Sequence, residues 1–434
     1  MKKIITTFAL SVAMASQLSA QPLALSLQDC RRMALENNES VKAADNAVGK
    51  AILDRKIAFA QYLPKVDGSF TGLHMKDLDI AGMELQTRGT YMAGLNITLP
   101  LYAGGQLTAA NRLARIGQAV SDEQRRKARM QVIADVDNAY YTLISVRSKV
   151  QMLEAYAQQM QGLYDQVKLA VNVQMATDND LLRISTKQNE ISYQLQKARN
   201  GEQLCGLALA NIIGSDFNQA IVPTDTIMSV ALASQLSEDF SSRPDLLLLQ
   251  QQVKASELQV KRARANYLPT VALMGSISYH DNLRLKGAIR NLDGTPIFID
   301  HTFTGGNPYA LLSVKVPIFH WGAEINKVKK AKLDLSDSRL QLQQLERSMR
   351  VEVHRAVQNI TDARNMAETA KIGQEQADEN LRVMRQKFDN QLCNMTDLLD
   401  AQSQWHQARS NLIEAQAQLK IYETEYLRVT GRLE

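Results

Sequence analysis

The chain has 434 residues, with 50 Lys plus Arg against 45 Asp plus Glu, a formal net charge of +5, and 45% apolar residues. That apolar share suits a folded chain rather than a disordered one, and so small a positive excess, spread along the sequence, leaves no footprint for nucleic acid. Nine prolines and 21 glycines are few for this length, so long stretches must be regular, and their Ala, Gln, Leu and Lys favour helix.

At the start, Lys2 and Lys3, the mostly apolar run Ile4 to Ala15, and Leu18-Ser19-Ala20 read as an export signal over residues 1–20. A short N-terminal helix is the other reading. Removal after Ala20 would leave a net charge of 5 − 2 = +3, and no Cys follows to carry a lipid. No later run of 18 apolar residues predicts a transmembrane helix. A helix is predicted over Leu27 to Ala60, stopped at Tyr62-Leu63-Pro64 because proline biases the residue before it away from helix.

Alternation follows. Val66 and Phe70 face away from Asp67, Ser69 and Thr71, and Tyr91, Ala93, Leu95, Ile97 and Leu99 alternate with Met92, Gly94, Asn96 and Thr98. Period two with one apolar face predicts strands, joined by a loop over about Lys76 to Gly89. From Gln106 to about Met175 there is no proline. A helix of ~70 residues would be ~105 Å long, more than a compact domain needs. A polar break at Ala176 to Asn179 leads to a returning helix that ends at Gly214, a fitting C-cap.

The same order then repeats. Ser242-Arg243-Pro244-Asp245 opens a helix over Pro244 to Asn266, with Pro244 in the first turn where its missing N–H costs nothing. Tyr62-Leu63-Pro64 recurs as Tyr267-Leu268-Pro269, an offset of 205. Leu99-Pro100-Leu101-Tyr102 recurs as Val316-Pro317-Ile318-Phe319, Asp180-Leu181-Leu182 as Asp397-Leu398-Leu399, and Ile213-Gly214 as Thr430-Gly431, all at 217. The difference, 217 − 205 = 12, places twelve extra residues between the two proline landmarks of the second half, expected in a loop over Leu283 to Asn307. Val271, Leu273, Ile277 and Tyr279, then Ala310, Leu312, Val314, Val316 and Ile318, line the apolar faces of its two strands. The domain division expected is residues 1–20 signal, 21–214 first repeat, 215–243 linker and 244–434 second repeat.

The long helices carry heptad seams. Val150, Leu153, Ala157, Met160, Tyr164, Val167 and Val171 step by three and four, as do Ala401, Trp405, Ala408, Leu412, Ala415, Leu419, Tyr422, Tyr426 and Val429. Ile184 to Ile212 repeats that pattern at the offset of 217. Such spacing predicts left-handed coiled coils, with Trp405 and Cys205 as packing residues. Four strands cannot close a membrane barrel, which needs at least ~8, and an open sheet in lipid leaves edge N–H and C=O groups unpaired. If the strands enter a membrane, several chains must share one barrel. Tyr91, Tyr102, Tyr279 and Tyr309 near strand ends suit an aromatic girdle or ordinary strand positions.

With these landmarks together, the chain resembles the TolC-like outer membrane efflux protein family. The resemblance rests on the tandem helix, hairpin and long-helix-pair layout, the paired Tyr-Leu-Pro, and Ser-Arg-Pro-Asp. It rests also on Pro-Leu-Tyr-Ala-Gly-Gly, Pro-Ile-Phe-His-Trp-Gly and Asp-Leu-Leu-Asp. It covers nearly the whole mature chain, and order and spacing carry it more than any one motif. It implies an α+β membrane protein: a homotrimer whose four strands per chain form one transmembrane β-barrel, above a long α-helical coiled-coil barrel crossing the periplasm. It implies outer membrane lipid as surroundings, a periplasmic adaptor (membrane fusion) protein and an inner-membrane pump of RND or ABC type as partners, and no cofactor. The function implied is a passive duct for drugs, toxic compounds or proteins in tripartite efflux or type I secretion.

By position, Asp397 and Asp400 match the aspartates that ring the family's periplasmic entrance, six carboxylates in a trimer, where clustered like charge attracts cations. Asp180 matches a first-repeat aspartate linked to closure, Phe388 falls where the family often has Tyr, and Cys393 where some members have Arg. Helix capping is the competing reading for Asp397, Asp400 and Asp180, since acidic residues suit a helix start. The adaptor-contact tips implied are Asn179, Leu181, Leu182, Thr396, Leu398 and Leu399.

Nothing in the sequence calls for an enzyme. The histidines (His74, His280, His301, His320, His354 and His406) form no HExxH pair. Cys30, Cys205 and Cys393 lack metal spacing. Gly104-Gly105 and Gly305-Gly306 lack the Lys-Ser/Thr of a nucleotide loop and read as turns. The alternative to the duct is a soluble periplasmic coiled-coil scaffold or adaptor.

Overall fold

Asparagine and proline decide where the first helices stop. The computed structural model describes residues 23–74, 76, 78–80, 83–86, 89–215, 220–225, 236–291 and 293–433. The expected export signal lies outside them, as does part of the 215–243 linker. The strand β1 (Leu23–Leu25) is followed by α1 (Leu27–Asn37) and α2 (Glu39–Ala60), not by the one helix predicted over Leu27 to Ala60. Asn38 makes the break. Its backbone is extended, its N–H caps Ala34, and its side chain accepts from the Ser40 N–H at 2.9 Å. An Asn side chain that offers such local hydrogen bonds competes with helix continuation.

Next come β2 (Lys65–Leu73), β3 (Leu78–Ile80), β4 (Met83–Gln86) and β5 (Thr90–Ala103), then α3 (Gln106–Asn172) and α4 (Asp178–Ile213). After β6 (Ile221–Pro223) the order returns: α5 (Pro244–Ala265), β7 (Thr270–Arg290), β8 (Pro296–Lys315), α6 (Ala323–Asp389) and α7 (Met395–Val429). Both α3 and α6 run 67 residues. Among the described residues no helix is long and apolar enough to cross a membrane.

The described chain divides into two units. The sheet unit takes Val48–Ser121 and Leu249–Leu342. Its strands run β2-β5-β7-β8, all antiparallel, with the β3–β4 hairpin continuing beside the far half of β7. The register merges the predicted apolar faces into one. Val66 lies opposite Ile97, Ile97 opposite Gly275, Leu273 opposite Leu312, and Val271 opposite Val314. The other face carries Asp67, Ser69, Asn96, Thr98, Ser276 and Ser278. Among the described residues β2 pairs only with β5 and β8 only with β7, so two strand edges stay open within the chain.

One expectation fails here. The segment Leu283 to Asn307 is mostly strand, not loop: β7 runs to Arg290, β8 starts at Pro296, and the turn between is closed by Asn291 N–H to the Thr295 carbonyl at 2.9 Å. A β-bulge between His280 and Leu283, with Asn282 at φ +64, shifts the register by one residue. Leu283, Leu285, Gly287 and Ile289 therefore fall on the face of Ser276 and Ser278, and Arg284 and Lys286 on the face of Leu273 and Ile277. The broken alternation disguises the strand as loop. Arg284 answers Asp300 across the strands with two bonds of 2.6 Å. The twelve extra residues therefore lengthen two strands by about six each, roughly 20 Å. The expected Lys76 to Gly89 loop likewise contains β3 and β4.

At the foot of the sheet Gly104 has φ +59, and a Cβ there would meet the Ala265 carbonyl oxygen at 2.6 Å, so glycine is required. The equivalent at offset 217 is Trp321, which holds φ +50.

The helical unit takes the remaining described residues. Here β1 pairs in parallel with β6, Leu23 with Ile221. Every residue of the predicted seams Val150 to Val171, Ile184 to Ile212 and Ala401 to Val429 is buried or half-buried. One apolar core joins Cys30, Ala34, Val136, Tyr140, Leu209 and Ile213. A second joins Tyr156, Met160, Val167, Ile184, Ile191, Met395 and Leu398. Cys205 packs beside the first, and Trp405 beside Met152, Leu153 and Ile413, as the seam spacing predicts. Burial, with the Asp29 and Asp225 carboxylates, pushes the Cys30 thiol up to about 12, so it packs as an apolar group.

Candidate functional site

The tips of the two helical hairpins are built twice by the same local chemistry. Helix α3 ends with Gln174 at φ +60, and α6 with Gln391 at φ +60, residues 217 apart. The Met175 N–H donates to Ala170 O and the Leu392 N–H to Lys387 O, each at 2.7 Å. These are Schellman closures that satisfy orphan carbonyls of the last turn. Helices α4 and α7 then start with capping boxes. The Asp180 N–H donates to Thr177 Oγ1 at 3.3 Å and the Thr177 N–H to Asp180 Oδ2 at 3.2 Å. The Asp397 N–H donates to Asn394 Oδ1 at 2.9 Å and the Asn394 N–H to Asp397 Oδ2 at 3.2 Å. Such a box occupies the first-turn donors reciprocally and places charge where the helix dipole favours it. The capping reading thus has its geometry within the chain for both Asp180 and Asp397.

Asp400 is different. It is exposed, takes no part in a box, and lines a groove with Asn179, Leu182, Arg183, Thr396 and Leu399. Arg183 donates to Thr396 Oγ1, tying the first tip to the second. Phe388 is half-buried beside Leu381 and Met384 on the apolar core under the tips. The Cys393 thiol donates to the Met384 carbonyl at 3.5 Å; burial, with the nearby Asp397 carboxylate, raises its pKa.

The expected contact residues separate by exposure. Leu182 is 66% exposed and Asn179 and Thr396 are open to solvent; Leu181 and Leu399 are half-buried. Leu398 is only 2% exposed and belongs to the core, so its assignment as a contact is corrected. Its side chain packs the two hairpins together and is closed to a partner. Arg183, Lys187 and Glu190 line the groove and were not foreseen. The signal was present: 183 + 217 = 400, so Arg183 is the repeat equivalent of Asp400, with opposite charge. Among the described residues no group of three or more His, Cys, Asp or Glu is placed to hold a metal ion.

A sheet whose four main strands carry one apolar face and leave two edges open, in a chain that also forms coiled-coil hairpins, defines a subunit of a shared membrane barrel. Residues 31–214 and 236–432 match the family described as Outer membrane efflux protein, and the chain belongs to that family. Its place is accordingly the outer membrane. Among known proteins, the Cation efflux system protein CusC of Escherichia coli O157:H7 is 24% identical over 254 residues, 56% of this chain and 54% of that protein. The outer membrane protein OprJ of Pseudomonas aeruginosa is 24% identical over 299 residues, 65% of this chain and 61% of that protein. The aligned segments thus span little more than half the length of these relatives. A crystal structure of CusC superposes with a TM-score of 0.78 at 18% identity, covering 94% of this chain and 93% of that one. Family and structural neighbours alike are channel proteins.

Proposed function

We propose that three copies of this chain close one twelve-stranded barrel and form a passive export duct, open to the cell exterior through the barrel and fed at the hairpin tips. The observation that carries this reading is the apolar face of the sheet, exposed from Val66 across Ile97 and Leu273 to Val314. Water does not tolerate so long an apolar face. Lipid does, provided the edges are closed. Three times four strands gives an even count, and the polar face becomes the lining. Energy comes from an inner-membrane pump of RND or ABC type, joined through a periplasmic adaptor at the tips. The substrates are small toxic compounds or proteins, and the name of the relative CusC makes cations a class to assay first.

The test is the mass of the native particle extracted in mild detergent. A detergent-requiring trimer is expected. A water-soluble monomer or dimer would hand the molecule to the scaffold reading. Cysteines introduced on the outer edges of β2 and β8 should cross-link between chains and not within one.

The entrance proposal keeps Asp397 and Asp400 as its charge ring, with Asp180 and Phe388 supporting the fold of the tip. Asp397→Asn with Asp400→Asn is a clean test, because an Asn oxygen still accepts in the capping box while the charge is gone. Stability should move by less than about 1 kcal/mol. In a planar bilayer, cation block should be lost and conductance should rise. Unchanged block and conductance would leave Asp397 as a cap only.

A further inference from the structure

Between Gln402 and His406 on α7, two to three turns from its capped tip, the packing between the hairpins is interrupted by polar groups. Tyr156 of α3 is 2% exposed, and its ring lies 5.4 Å from that of His406 on α7. Gln402, 3% exposed, stands one turn before His406 on the same face. One turn earlier on that face is Leu398, which shares the apolar core with Tyr156. Gln402 is therefore bracketed by two contacts of the Tyr156 neighbourhood. Tyr156 Oη, Gln402 Oε1 and His406 Nε2 are all buried, and none has a hydrogen-bond partner in the protein. A buried polar atom without a partner is costly, so three within one apolar seam demand an explanation.

Their chemistry supplies one. Burial, with the nearby Glu190 carboxylate, pushes Tyr156 up to about 12, so the phenol keeps its proton and donates. The Gln402 carbonyl oxygen can only accept, and Nε2 of neutral His406 accepts when its proton sits on Nδ1. One donor and two acceptors are the complement of a single water, which accepts once and donates twice, and three hydrogen bonds are typical of a buried water. We propose that one water bridges Tyr156, Gln402 and His406 as a clasp between the first-repeat and second-repeat hairpins, and that protonation of His406 opens it.

The charges facing His406 are Lys149 on α3 and Lys187 and Glu190 on α4; on α6, Asp378 is taken by the Trp405 indole N–H. Burial first, then Lys187 and Lys149, hold His406 below 6.5, against the pull of Glu190. The sign follows. The clasp stabilises fully above 6.5, where both folded and unfolded His are neutral, and the contribution is lost as pH falls through the lower folded value. A proton on Nε2 places a cation in a buried seam that already faces Lys187 and Lys149, and relieving that charge favours parting the hairpins so that water can reach it.

This clasp stands whether or not the duct reading holds, since its test needs no transport. The full chain in detergent is crystallised at pH 8 and at pH 5. At pH 8 a single density peak within hydrogen-bond reach of all three atoms is expected, and at pH 5 its loss. A direct bond from His406 to Gln402 with no peak at pH 8 would overturn the clasp. In parallel, the unfolding midpoint of the wild type should fall from pH 8 to pH 5. Tyr156→Phe should be less stable than wild type at pH 8. The triple variant Tyr156→Phe, Gln402→Leu, His406→Phe should recover stability, because removing all partners together leaves nothing unsatisfied, and its midpoint should fall by less than half as much with pH. A triple variant that keeps the wild-type pH response would refute the role of His406.

Discussion

Asp137→Ala should cost the helical unit about 3–5 kcal/mol, because it removes one partner of a buried ion pair and leaves the other charge behind. Asp137 is fully buried. Arg31 of α1 donates Nε to Oδ1 at 2.7 Å and Nη2 to Oδ2 at 2.5 Å, a bidentate pair. Thr424 of α7 adds its hydroxyl to Oδ2 at 2.6 Å. One carboxylate on α3 therefore joins the entry helix of the first repeat to the exit helix of the second. Without it, Arg31 and Thr424 lose three hydrogen bonds at once. The measurement is urea unfolding of the detergent-solubilised protein followed by far-ultraviolet circular dichroism. Arg31→Met with Asp137→Leu should be far milder, since no charge is stranded. Equal losses in the single and double variants would show that Asp137 acts through packing alone.

Neither that pair nor its partner network was legible in the sequence. Arg31 and Asp137 lie 106 positions apart and share no motif, and a buried carboxylate looks like any other when burial is unknown. The Ser-Arg-Pro-Asp segment was visible as a landmark, yet its chemistry was not. Arg243 reaches Glu352 at 2.6 Å and Asp245 at 3.3 Å, and Lys127 reaches Asp245 at 2.6 Å. Distance in sequence hides such contacts, while periodicity reveals local ones. The seams and the strand faces were readable because each repeats at a fixed step within one element, and the tip caps because they recur at the offset of 217.

The misreadings have the same origin. The strand continuation from Leu283 to Arg290 was hidden because both its faces leave the apolar band, and charged residues then resemble loop. The break at Asn38 was hidden because the apolar pattern runs through it. Leu398 was placed on the surface by resemblance, although continuing the seam back from Ala401 by three positions lands on it. The repeat equivalence of Arg183 and Asp400 was available from the offset of 217 and needed only that the repeat be read for charge as well as for apolar residues.

Ile97→Arg should block assembly in the membrane, whereas Asn96→Arg should not. The two residues are neighbours on β5 and occupy opposite faces of the sheet. Ile97 is 45% exposed on the apolar face, near the middle of β5, opposite Val66 and Gly275. An Arg on the lipid face at the bilayer midplane costs about 2–4 kcal/mol per chain, and a trimer carries the change three times. Asn96 lies on the face of Asp67, Ser276 and Thr98, where the same Arg meets the aqueous lining and changes only the field that ions cross. Heat-resistant trimer in outer-membrane fractions should fall sharply for Ile97→Arg and stay near wild type for Asn96→Arg. In a planar bilayer Asn96→Arg should shift ion selectivity toward anions. If both variants assemble equally well, the apolar face does not meet lipid, and the barrel with it is refuted. If Asn96→Arg alone fails, the sheet is inside out, with lining and lipid faces exchanged.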